Sequence, residues 1–293
     1  MTPKMHGANE SKSALRQILW RSKNRLLAGW WLCRHFHRLR VFLLTDFGIC
    51  NVVPFRFLAW HSGSKYFTGI RLDSDLRLFV KFSSEPDVIR REVSAITHLQ
   101  AVTSSQAAHF PEVVAHGFDP YPFIAIRFLQ APTLATLLER APALASEQKV
   151  VLLQQFVSLL HHLHEARIIH RDITPANLLV CSDSVAPATA YSLRIVLVDF
   201  AFALHLPVHN PHDASVTTDS IKTLQVLGDG LNPRPFVWDD AYSLCAIAQT
   251  IDNDCSVKFP KPFSHLQSKI GHLTYDARRS VFASRWDNRR FPR

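Results

Sequence analysis

Nothing else in this chain narrows its possible folds as much as two short apolar runs, Leu178-Leu179-Val180 and Ile195-Val196-Leu197-Val198. Runs of this length, rich in branched aliphatic residues, read as buried strands. The segment between them, Cys181 to Ser192, is polar and rich in alanine and serine, and reads as a variable loop. Polar residues cluster at one end of each strand. Ile169-His170-Arg171-Asp172-Ile173-Thr174-Pro175-Ala176-Asn177 leads into the first, and Asp199-Phe200-Ala201 closes the second. An aspartate and an asparagine five residues apart thus precede one strand, and a second aspartate ends the other.

Phosphoryl transfer from a nucleotide requires these parts: one carboxylate to orient the attacking hydroxyl, and an amide with a second carboxylate to hold magnesium against the phosphates. The alternative is three unrelated polar residues, a helix cap, a turn asparagine and a strand-end aspartate. The surrounding chain favours the first reading. Short strands are expected at Phe55 to Trp60, Tyr66 to Leu72 and Leu76 to Phe82, then a helix from Pro86 to about Leu99. Strands at Glu112 to Gly117 and Phe123 to Phe128 follow, and Leu129-Gln130-Ala131-Pro132 reads as a connector. Helices are then expected over Thr133 to Arg140 and Ser146 to Ala166, the latter from the spacing of Val150, Leu153, Phe156, Val157, Leu160 and Leu163.

The run from Ile169 to Val180 resembles the catalytic loop of protein kinases, and Asp199-Phe200-Ala201 resembles their magnesium motif. The order of a β-rich segment followed by a helical one is similar to that family too. The resemblance implies an α+β, two-lobed protein-kinase-like fold, with a small β-rich lobe over about 55–128 and a shortened helical lobe over about 132–293. Residues 1–54 form a basic amphipathic extension. It implies Asp172 as catalytic base and Asn177 and Asp199 as magnesium ligands. Lys81, in Leu78-Phe79-Val80-Lys81-Phe82, resembles the strand lysine that contacts the nucleotide phosphates, and Glu92 its helical partner, at a spacing shorter than is usual. Arg171 corresponds to the arginine beside the catalytic aspartate, which commonly pairs with a phosphate on the activation segment.

The nucleotide loop is expected at Ser62-Gly63-Ser64-Lys65-Tyr66, where Gly63 and Ser64 keep the backbone approachable. Adenine would be bound by backbone groups of Arg127-Phe128-Leu129, behind Ile126. Asp240, in Trp238-Asp239-Asp240-Ala241, resembles the aspartate that holds the catalytic-loop backbone. Besides the short Lys81–Glu92 spacing, the chain departs from the family in keeping one central glycine, Gly63, in the nucleotide loop, and in three further places. Alanine stands at 201 where glycine is usual, threonine at 174 where lysine is usual, and no Ala-Pro-Glu triplet closes the segment after Asp199. Ser215, Thr217, Thr218, Ser220 and Thr223 lie in that segment, and activity independent of their phosphorylation is expected.

The implied activity is that of an ATP- and magnesium-dependent phosphotransferase acting on protein serine/threonine hydroxyls. Alternatives are a sugar or lipopolysaccharide-core kinase and a pseudokinase scaffold. Composition bears on partners and location. No apolar stretch is long enough to span a bilayer, and no secretory signal pattern opens the chain. The five scattered cysteines fit reduced thiols in a cytoplasmic protein. Ahead of Asp46 the acidic Glu10 stands alone among Lys4, Lys12, Arg16, Arg21, Lys23, Arg25, Arg34, Arg38 and Arg40, interleaved with Trp20, Trp30, Trp31 and Phe36. That pattern suits a helix at the anionic inner face of a membrane, and equally a helix packed on the lobe behind it. Nucleic acid is not an expected partner, since no recognition module accompanies the charge. His161, His162 and His164 are not spaced to place three ligands on one helical face, and read as solvated or core histidines.

Overall fold

A computed structural model describes residues 7–57, 60, 63–103, 109–140, 144–182, 193–206 and 230–277, with side chains from residue 26 onward. The chain divides into two compact units, one comprising residues up to Ile89 with Val113–Phe128, the other Arg90–Glu112 with the residues from Leu129 on. The class is α+β, a two-lobed kinase-like fold with a five-stranded sheet in the first unit and mainly helices in the second.

The first unit opens with helix α1 (Gly7–Phe47), followed by strands β1 (Ile49–Pro54), β2 (Ser64–Arg71) and β3 (Arg77–Ser83). After helix α2 (Pro86–Thr103), β4 (Val113–Gly117) and β5 (Phe123–Arg127) complete an antiparallel sheet of order β1-β2-β3-β5-β4. The first strand lies earlier than the sequence pattern suggests, and of the expected strand from Phe55 to Trp60 the described residues, Phe55 to Phe57 and Trp60, are not in a strand. The reason is a bulge. The β1–β2 register shifts between Cys50 and Val53, with Asn51 at a φ of 50°. Ile49 and Val52, three residues apart, are both buried, so the period-two signature is broken. The aromatic residues after β1 form a turn instead, with Trp60 Nε1 donating to the Phe55 carbonyl at 2.9 Å. Gly69 lets β1 pass close by: a Cβ there would sit 2.8 Å from Ile49 Cγ2.

One face of β3 carries Leu78, Val80 and Phe82 into a core shared with Phe67, Phe123, Trp60 and, from α1, Ala28, Leu39 and Leu43. The described part of α1 therefore supplies core to the sheet, and the expected boundary at residue 54 falls at the end of β1. Lys81 and Phe79 stand on the opposite face of β3, as strand alternation requires.

In the second unit, α3 (Leu134–Arg140) and α4 (Ser146–Glu165) precede the short strand β6 (Ile168–Ile169) and the hairpin β7 (Leu178–Ser182) and β8 (Leu193–Leu197). Strand β9 (Leu204–His205) pairs with β6, and β10 (Val237–Trp238) pairs with β11 (Tyr275–Asp276). Helices α5 (Asp240–Ile251), α6 (Cys255–Lys258) and α7 (Pro260–Ser268) lie between β10 and β11. Helix α4 buries Leu152, Leu153, Phe156, Leu159, Leu160 and Leu163, close to the periodic set expected. Its histidines divide: His162 is buried and His161 exposed, and burial lowers the affinity of His162 for a proton.

Candidate active site

The catalytic-loop residues are positioned by local rules first. Pro175 has a fixed φ and no N–H, so it opens a tight turn at no cost, and Pro175–Asn177 forms a single 3-10 turn. The Asn177 N–H closes it by donating to the Thr174 carbonyl at 3.0 Å. The turn swings Asn177 back onto Asp172. Its amide nitrogen donates to both the Asp172 carbonyl and Asp172 Oδ2, each at 2.9 Å. A nitrogen engaged with two acceptors defines which amide atom is which, so Oδ1 of Asn177 is the atom left as a donor to a cation.

Asp199 reaches the same place by strand pairing. Leu178 faces Leu197 in the β7–β8 ladder, and the Val198 N–H donates to the Asn177 carbonyl at 3.0 Å. Asn177 and Asp199 therefore emerge at one end of one hairpin. Asp199 has φ 67° and ψ 66°, and Arg171 a φ of 69°. Left-handed backbone at non-glycine residues costs about 1–3 kcal/mol each and persists only where the surroundings enforce it. Aspartate tolerates the region better than arginine does.

The surroundings at Arg171 are explicit. Asp240, buried at the start of α5, accepts the His170 N–H at 2.6 Å and the Arg171 N–H at 3.2 Å, one on each carboxylate oxygen. The expected role of Asp240 corresponds to these bonds. Asp239 caps the same helix by accepting the Tyr242 N–H at 3.1 Å and also accepts the Gly271 N–H at 2.7 Å. Arg171 is itself buried. Its Nε donates to the Phe202 carbonyl at 2.6 Å, and its guanidinium lies 5.1 Å from the Tyr275 ring centre and 6.0 Å from that of Trp238. It thus ties the loop to the residues after Asp199 and to the β10–β11 pair. The hydroxyl-rich stretch from Ser215 to Thr223 lies outside the described residues.

His170 completes this framework. Its ring meets Phe200 edge-on at 4.6 Å, and Nε2 lies 3.2 Å from the Val198 carbonyl. Phe200 is fully buried and meets Phe110 at 6.0 Å. Arg91 was not singled out by sequence reasoning. It is buried on α2, and its Nε donates to the Ala201 carbonyl at 2.6 Å. The helix exposes Ser94 and Thr97 on one side, and an arginine on such an amphipathic helix reads as solvent-facing, so the sequence pattern does not reveal that Arg91 is buried. Glu92, its neighbour, is buried in the same unit.

The remaining candidates lie in the β-rich unit, apart from Leu129. Lys81 is buried and faces Tyr66 on β2 and Ile124 on β5. Gly63 leads into β2, and its carbonyl accepts the Ser84 N–H at 3.1 Å; Ser64 is buried opposite Ser83. Ser62 lies outside the described residues. Arg127 ends β5 opposite Leu78, and the Phe128 N–H donates to the Arg77 carbonyl at 2.9 Å. Leu129 belongs to the second unit, where its carbonyl accepts the Ala131 N–H at 3.0 Å.

Burial pushes the Asp240 carboxyl up to about 7, against the opposing pull of the His170 and Arg171 N–H groups. The two consequences have opposite signs. A carboxyl whose pKa is raised on folding lends stability that is full below the unfolded value, near 4, and is lost as pH rises through about 7. The ionised form is the better acceptor for two backbone amides, so loop order, and turnover with it, is expected to rise over the same interval. Asp240→Asn should remove that inflection from the pH–rate profile and cut turnover about tenfold or more, since an amide cannot accept with both of its heavy atoms. An unchanged profile in the variant would remove Asp240 from loop control.

The family model for the protein kinase domain matches residues 79–224. The chain is similar to the probable serine/threonine-protein kinase ifkB of Dictyostelium discoideum, 38% identical over 99 residues that make up 33% of this chain and 7% of that protein. It is also similar to the serine/threonine-protein kinase PknE of Mycobacterium bovis, 31% identical over 124 residues, 41% of this chain and 19% of that one. The chain thus spans only a small part of the curated relatives it matches. The crystal structure of the BubR1 kinase domain superposes with a TM-score of 0.49 at 15% identity, covering 69% of this chain and 60% of that chain. With the family match spanning the strand of Lys81, the loop of Asp172 and Asn177, and Asp199, the chain belongs to the protein-kinase-like superfamily.

Proposed function

We propose that the protein transfers the γ-phosphoryl group of ATP, with magnesium, to serine or threonine hydroxyls of a protein acceptor. The observation that carries this reading is the Asp172–Asn177 pair at the mouth of the β7–β8 hairpin, with Asp199 beside it. The donor set suits magnesium, a hard cation that is commonly held by one or two protein oxygens and completes its shell with water and phosphate. Asn177 Oδ1 and the Asp199 carboxylate would hold it; bound there, the ion would neutralise charge on the phosphates. Asp172 would orient the acceptor hydroxyl and take its proton, its carboxylate kept in place by the Asn177 amide. Lys81 would offset phosphate charge from the face of β3 that does not enter the core.

The 293-residue chain is incubated with γ-labelled ATP and magnesium, with a generic protein and with purified saccharide as separate acceptors. Label on protein serine or threonine is expected. Lys81→Ala should lower that transfer by on the order of a hundredfold, the scale of losing one preorganised charge in a site. Label on saccharide alone would replace the protein acceptor with a sugar. Absence of both magnesium-dependent nucleotide binding and turnover would identify a scaffold.

A further inference from the structure

The side of α1 turned away from the sheet has a definite pattern. At about 100° per residue, Ala28, Trp31, Leu32, Phe36, Leu39, Phe42 and Leu43 share the face packed on the sheet core. The opposite face carries exposed apolar side chains: Leu26 is 76% exposed, Trp30 59%, Val41 45% and Leu44 45%. These four fall within a narrow arc, which the exposed His37 shares between Trp30 and Val41. Arg34 and Arg38 border the arc on one side and Arg40 on the other, all three exposed. The Arg34 guanidinium lies 5.4 Å from the Trp30 ring centre, so cation and aromatic form one outward unit.

Exposed apolar side chains gathered on one helix face in this way call for an occupant. The flanking charge selects among the possible ones. Over the whole of α1 the sequence has eight cations and two acids, Glu10 and Asp46. A tryptophan in mid-stripe with arginines on both borders is the arrangement in which apolar side chains enter the acyl boundary while guanidinium groups meet lipid phosphates. No described helix is long and apolar enough to cross a membrane, so the helix would lie along the surface.

We propose that the outer face of α1, from Leu26 to Leu44, is a docking surface for an anionic lipid bilayer. The inference is independent of the catalytic reading, because no candidate catalytic residue lies on α1.

The test is co-sedimentation of the full chain with vesicles of phosphatidylcholine alone and of phosphatidylcholine with phosphatidylglycerol. Binding to the anionic vesicles is expected, at least tenfold stronger than to the neutral ones and weakened by salt. Trp30→Glu with Val41→Glu, and separately Arg34→Gln with Arg38→Gln and Arg40→Gln, should each reduce binding tenfold or more. All of these side chains are exposed, so circular dichroism and melting temperature should match the parent. Equal binding to both vesicle types, or anionic binding that survives both sets of substitutions, would overturn the proposal. So would concentration-dependent self-association of the parent that both sets abolish, since the stripe would then be covered by a second copy.

Discussion

Asp172→Asn is expected to bind magnesium–nucleotide as tightly as the parent and to lose turnover by roughly a thousandfold, within the ~10²–10⁴ that a positioned proton acceptor contributes. The substitution is nearly isosteric. An asparagine oxygen at 172 can still accept from the Asn177 amide, so the turn built on Pro175 and the placement of Asn177 are retained. What disappears is the negative charge that draws the hydroxyl proton. Single-turnover kinetics and equilibrium nucleotide titration, measured side by side, separate the two quantities. A matching loss of nucleotide affinity would mean that Asp172 holds the metal and not the acceptor.

Asp199→Asn should fail in the other way. Removing a carboxylate that faces the cation is expected to weaken magnesium-dependent nucleotide binding and to lower kcat/KM at least a hundredfold, about 2.7 kcal/mol of transition-state stabilisation. The fold should tolerate it. Residue 199 has a φ of 67°, and asparagine shares with aspartate a tolerance of that region, so the backbone imposes no new strain. Nucleotide binding that keeps its magnesium dependence and its affinity in the variant would contradict the assignment. The two variants together form a cross-check, since each predicts which measurement the other leaves unchanged.

Much of this site could be read from the chain because its geometry is made locally. Asp172 and Asn177 are brought together by a single turn, and Pro175 announces that turn. Lys81 stands on a strand whose period-two alternation separates it from Leu78, Val80 and Phe82. Asp240 begins a helix directly after a two-residue strand, and its partners are the backbone amides of His170 and Arg171, whose side-chain identity does not matter. Where the local pattern was broken, the reading failed. The bulge at Asn51 put Ile49 and Val52 on one face at a spacing of three, and the aromatic run behind it imitated the missing strand.

The sequence by itself determined which residues could carry phosphoryl chemistry and in what order along the chain, since spacing within one turn or one strand is a property of covalent geometry. Tertiary structure alone decided how those residues are held. Arg91 meets the carbonyl of Ala201, and Arg171 is enclosed by Phe202, Trp238 and Tyr275, partners distant in the chain that no periodicity connects. The same holds for α1. Its composition was compatible both with packing and with an anionic surface. Only the burial of Ala28, Leu39 and Leu43 showed that one face serves the core and left the other face, with Trp30 and Val41, turned outward. A helix has two sides, and which side is covered depends on what folds against it.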